Sequence, residues 1–422
     1  VEKAVELLPA LEAIAPLRAL LVSIARADEG SRWSSSGPYL TLGKRGVQPD
    51  ELRRRMPHVL HQVTDHVRTL YEAYVAALEA VQRGDGGGAV AALLRAGRLE
   101  ESLGRLAQSR AWYERALALS ATLQDRRSEV ELLDSLGRVA LALGESAEGA
   151  RHFQRALALA EAEFDQAGAI AACEGLGDAA LRQGEWGGAQ AWFARGLRLA
   201  EASDDSRAGG RLERQLGAVA RRQGDLTRAG DHLRRARERL EPAGAPEELA
   251  RVLNAQGQLD AQVGRHAAAS AAYREALAWM QRAPRDPGLE LTIRLGLSEL
   301  LLDAARFLEA DEELRRAEQA AIAGNLTVPL VQIYTLMGKL RGAQDDETGF
   351  VFFEQAIELC RTLGHSLAAV AHVYLEYGLF REGLGQREEA RAYLQRARGI
   401  FESLGEAVGR DRVEAALKQL SA

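Results

Sequence analysis

The sequence predicts an all-α fold, a right-handed superhelical solenoid of about eight helix-turn-helix repeats with a short helical section before it and a capping helix after it. Two observations predict it. Glycine pairs recur about 40 residues apart, at Gly137 and Gly144, Gly177 and Gly184, Gly217 and Gly224, then Gly257 and Gly264. Alanines mark a second register through Ala116, Ala156, Ala236, Ala276, Ala317, Ala356 and Ala397, with Gly196 substituting once. A fixed period of this length belongs to units that stack on their neighbours instead of closing round one core. It points to an extended binding surface and away from a catalytic pocket.

Residues 1–88 stand apart from the array. Positions 1–27 and about 50–83 carry helical apolar spacing, separated by a serine-, glycine- and proline-rich stretch. The run Gly84 to Gly88 is expected to break the second helix and to mark the boundary with the array at 89–422. His58, His61 and His66 cluster on that helix, but no second group with metal-ligand spacing accompanies them, so they are expected at the surface or in packing. The chain opens on Val1, which leaves room for a further domain outside it.

Within each repeat, the turn glycines Gly104, Gly144, Gly184, Gly224, Gly264 and Gly385 are expected to end the first helix in a left-handed conformation. A second series, Gly97, Gly137, Gly177, Gly217, Gly257, Gly338 and Gly378, falls inside that helix. Each costs about 1 kcal/mol against alanine. Close approach of a neighbouring helix compensates, and Tyr113, Phe153, Phe193 and Tyr273, or Leu233, Leu314 and Leu394, are expected to fill the gap. Near Ala305 and again near Asp345 the turn glycine is lost, which leaves the register there uncertain by a residue or two. A last helix near 406–420 covers the final apolar face.

The pattern in Leu176-Gly177, Gly184-Glu185-Trp186, Ala189 and Phe193 resembles the tetratricopeptide repeat (TPR) family. It returns in Tyr377-Gly378, Gly385-Gln386-Arg387, Ala390, Leu394 and Ala397, and the resemblance covers about residues 89–420. The family's closing proline is absent and the loops between repeats are longer, as at Thr122–Asp125. This is similar to the longer-repeat branch found in bacterial signalling regulators and in eukaryotic adaptors. The resemblance implies protein or peptide binding on the concave face formed by the first helices.

Inward positions on those helices include Glu131, Asp134 and Arg138, then Glu174, Asp178 and Arg182. The fourth repeat presents Arg211, Arg214, Arg221 and Arg222, and the fifth Arg251, Asn254, Gln258 and Gln262. Residues 206–240 hold ten arginines against four acids, whereas 299–358 hold twelve acids against five basic residues. Arginines facing inward fork onto carboxylates or phosphates of an acidic partner. The plainer alternative is a solvated face with intrachain ion pairs. The residues selected as the partner site are Arg138, Arg182, Arg211, Arg214, Arg221, Arg222, Asn254 and Gln258.

Other chemistries find little support. The basic stretch is short, lacks interleaved aromatics and sits in a chain of net charge -6, so nucleic acid is not expected. Neither a phosphate loop nor a nucleophile elbow is present, and no cofactor or metal is expected. Cys173 and Cys360 have no paired spacing, which fits a reducing, cytoplasmic setting without a membrane span. The expectation is a non-catalytic adaptor binding an acidic protein or peptide segment. Its alternatives are the ligand- or peptide-sensing part of a bacterial regulator, or an assembly protein that forms homo-oligomers through residues 1–83.

Overall fold

In a computed structural model, the described residues are 80 and 85–421, with short interruptions at 103, 283–285, 324–325 and 364–366. The expected helices at 1–27 and 50–83, the histidine cluster and the proposed oligomerisation segment lie outside these residues, apart from Ala80.

Aspartates start many of the helices. Asp125, Asp165 and Asp205, one per repeat, each accept a hydrogen bond from the backbone N–H three residues on, at 3.2, 3.0 and 2.9 Å. These caps satisfy amides that the helix itself leaves unpaired. Glycines end the first helices: Gly104, Gly144, Gly184, Gly224, Gly264 and Gly385 all have φ between 71° and 84°. Where the glycine is missing, Ala305 and Asp345 take the same left-handed turn, with φ of 55° and 56°. The repeat geometry therefore continues through the segment whose register the sequence left open.

Seventeen helices result among the described residues, paired as eight helix-turn-helix repeats and a last single helix. The first unit ends at Asp204. It holds α1 (Gly86–Ser102), α2 (Leu106–Leu123), α3 (Arg126–Ala142), α4 (Ser146–Ala162), α5 (Gln166–Arg182) and α6 (Trp186–Ala202). Gly86 to Gly88 form the first turn of α1, where Asp85 Oδ1 accepts from the Gly88 N–H at 2.8 Å. Tyr113, Phe153 and Phe193 are fully buried in its core. Each lies against the glycine of its partner helix, Gly97, Gly137 and Gly177 in turn.

The second unit runs from Asp205. It begins with α7 (Ser206–Arg222), α8 (Leu226–Leu240), α9 (Pro246–Gln262), α10 (His266–Met280), α11 (Pro287–Asp303) and α12 (Phe307–Ala323). It continues with α13 (Thr327–Gly342), α14 (Gly349–Leu363), α15 (Leu367–Gly383), α16 (Arg387–Leu404) and α17 (Ala407–Ser421). Tyr273 packs under Gly257 and Phe353 under Gly338, the same contact as in the first unit. On α17, Val413, Ala416 and Leu420 are buried with Phe401, while Arg410, Arg412 and Glu414 remain exposed. A polar outer face of this kind closes a repeat stack against solvent.

Candidate functional site

In the second unit, α7 and α9 lie side by side with the first turn of α11 beyond them. Their inward residues line a cavity of about 500 Å3, within the roughly 300–1,000 Å3 typical of ligand sites. Arg214, Gly217, Ala218 and Arg221 come from α7, and Arg251, Asn254, Ala255 and Gln258 from α9. Asp286, Gly288, Leu289 and Thr292 come from the start of α11, and Leu233 from α8.

The cavity is cationic and rich in amides. Arg221 donates to Gln262 Oε1 at 3.4 Å and Gln258 Oε1 at 3.5 Å, both long bonds to neutral groups. No carboxylate among the described residues pairs with it. Arg251 is held differently, by Glu247 at 2.7 Å and Asp286 at 2.8 Å. Asp286 also caps α11, accepting from the Leu289 N–H at 3.0 Å. The Oδ1 atom of Asn254 is buried and has no hydrogen-bond partner. A buried acceptor left this way costs about 1–3 kcal/mol until something donates to it.

On α10, burial pushes the Tyr273 hydroxyl up to about 12, helped by the Glu299 charge and opposed by Arg221.

Of the eight residues selected from sequence, Arg214, Arg221, Asn254 and Gln258 line this cavity. Arg211 and Arg222 lie on α7 but are not part of its wall, and Arg222 is exposed in the last turn of α7. Arg138 and Arg182 belong to the first unit. There Arg138 is engaged by Asp134 and by Glu101 at 3.8 Å, the plainer alternative for that residue. Arg182 is exposed at the end of α5. Asp286 and Thr292 were missed. The Asp-Pro start of α11 was legible as a helix N-terminus, but its place opposite Arg251 was not.

Among the described residues, no group of three or more His, Cys, Asp or Glu side chains is placed to hold a metal ion. None of their helices is long and apolar enough to cross a membrane.

Family models described as tetratricopeptide repeat match residues 210–282, which contain α7 and α9, and residues 90–122 in the first repeat. The chain carries tetratricopeptide repeats. Solved structures with similar folds include the apo form of the quorum sensor NprR from B. thuringiensis, with a TM-score of 0.55 and 14% identity. That match covers 92% of this chain and 99% of NprR. Aspartyl phosphate phosphatase F from Bacillus subtilis matches with a TM-score of 0.48 and 13% identity, over 67% of this chain and 74% of that one. The Rap conjugation gene regulator of plasmid pLS20, solved with the Phr* peptide, matches at 0.48 and 15%, over 65% and 74%. No curated protein matches the chain. At these identities the likeness is one of fold, and the tetratricopeptide repeats account for it.

Proposed function

We propose that this tetratricopeptide-repeat protein is the ligand-sensing part of a regulator, and that the cavity of its second unit takes a short peptide bearing an acidic group. The observation that carries this is the combination of Arg221, held only by amides, with the buried acceptor of Asn254 in the same wall. The guanidinium suits a carboxylate, and the amide suits a peptide N–H. The fold shared with NprR, which is named a quorum sensor, supports sensing over a purely static adaptor. Arg214 and Arg222 extend the positive charge of α7, whereas Arg138 is already engaged within the first unit.

The test is a display library of random heptapeptides panned on the full chain, followed by titration of the enriched peptides. Replacing both Arg214 and Arg221 by Glu is expected to abolish binding of acidic peptides. A ligand-dependent fall in scattering radius is expected if binding drives the regulatory change. Unchanged binding by the double variant moves the site elsewhere.

A further inference from the structure

We infer that the ligand of this cavity is charge-separated, with its acidic group at Arg221 and a cationic group, ammonium or guanidinium, at Glu299 in the next repeat. This rests on the peptide-sensing reading above and adds a second, opposite pole to it.

Register places Glu299 on the same inward column. The left-handed turn residues Gly224, Gly264 and Ala305 mark equivalent points of successive repeats. Counting back equally from each reaches Ala218, Gln258 and Glu299, and the first two line the cavity. The charges of Arg221 and Glu299 both act on the Tyr273 hydroxyl, in opposite directions.

Charge pairing sets these two groups apart from several of their neighbours. Asp286 is neutralised by Arg251 at 2.8 Å, Glu376 by Arg412 at 2.8 Å and Lys339 at 3.6 Å, and Glu313 by Arg294. Glu299 is exposed, and its hydrogen-bond donor is the Gln332 amide at 3.2 Å. Among the described residues no cation forms an ion pair with it. Desolvation raises its carboxyl above the usual range, outweighing the Gln332 hydrogen bond and Lys339, and Asp303, one turn on, adds to the rise. Arg221 and Glu299 do not pair with each other either.

A ligand carrying both charges would satisfy each pole. The independent sign that a ligand belongs here is the buried Asn254 Oδ1 in the adjoining cavity wall, an acceptor awaiting a donor. Glu299 by itself would be an ordinary surface acid. Next to a cavity with a guanidinium held only by amides and an orphaned amide oxygen, it becomes the far end of a site.

The heptapeptide library panned on the full chain tests this directly. Wild type is expected to enrich peptides with one acidic and one basic residue in a fixed order and spacing. Glu299→Lys is expected to replace the basic residue by an acidic one in the enriched pool, and to weaken the original peptides about tenfold. Should that variant fail to fold, Glu299→Gln keeps the side-chain shape and is expected to lose the basic preference. The same peptides from wild type, Glu299→Lys and Glu299→Gln would overturn the inference. Enrichment of acidic residues alone, with binding unchanged by N-terminal acetylation, would overturn it too, while leaving the peptide-sensing reading standing. No enrichment from the wild-type chain would overturn both. The enriched peptide, made with a free and an acetylated N-terminus, separates an α-ammonium from a side-chain cation.

Discussion

The ring of Phe153 lies against the backbone of Gly137, so closely that a β-carbon on Gly137 would stand 2.6 Å from its Cε1 and Cζ atoms. The same contact joins Gly257 to Tyr273, again at 2.6 Å. A glycine inside a helix is thus the counterpart of an aromatic ring on the paired helix, and the two repeat together along the chain.

Gly137→Ala is therefore expected to destabilise. The gain in helix propensity, about 1 kcal/mol, is outweighed by overpacking that costs about 1–3 kcal/mol. Gly399 of α16 is the control, since a β-carbon there meets nothing within 4 Å. Gly399→Ala is expected to stabilise by about 1 kcal/mol. Thermal unfolding midpoints of the two variants should move in opposite directions, and a shared direction would contradict the packing described.

The left-handed turns yield a second contrast. Ala305 adopts φ of 55° where equivalent turns have glycine. Ala305→Gly is expected to gain about 1 kcal/mol, and Gly224→Ala to lose a similar amount. Phe164 has φ of 55° and is 91% exposed, so Phe164→Gly relieves strain without removing a core contact. Urea midpoints measured on the three variants decide the matter.

Burial pushes the Cys173 thiol up to about 11, so it stays protonated at pH 8. A thiol-specific disulfide reagent is expected to react with it only when the first unit opens. Labelling of Cys173 at the rate of a free thiol in the native protein would show that the α4–α5 core admits solvent.

Glu299 costs stability where it is ionised. Its folded-state pKa is raised, so the folded state binds its proton more tightly than the unfolded chain does. Stability from this group is complete below the unfolded pKa and falls as pH rises through the folded one. Glu299→Gln is expected to raise the melting midpoint at pH 7 and to leave it unchanged near pH 3. An equal shift at both values would mean that packing, and not charge, is responsible.

Much of the fold was legible because each repeat is made by itself and its immediate neighbour. Gly137, Gly144, Phe153 and Ala156 lie within one repeat length, so their spacing alone states the helix, the turn and the ring-on-glycine contact. The loss of glycine at Ala305 and Asp345 misled only about register. There the turn is closed by backbone bonds such as Arg306 N–H to Leu301 O at 2.8 Å, which do not depend on the side chain.

The candidate site was legible only in part. Inward position follows from helical period, and this pointed to Arg214, Arg221, Asn254 and Gln258. Whether an inward arginine is available depends on carboxylates brought to it by folding, and these come from its own helix or from another repeat. Asp134 and Glu101 engage Arg138, and Asp286, from a different repeat, meets Arg251 while no acid reaches Arg221. The sequence by itself determined the repeating helix pairs and the charge each inward face carries. The tertiary structure alone decided which charges are neutralised across repeats, because pairs such as Arg251 with Asp286 form between side chains that packing, and not the repeat period, brings within 4 Å.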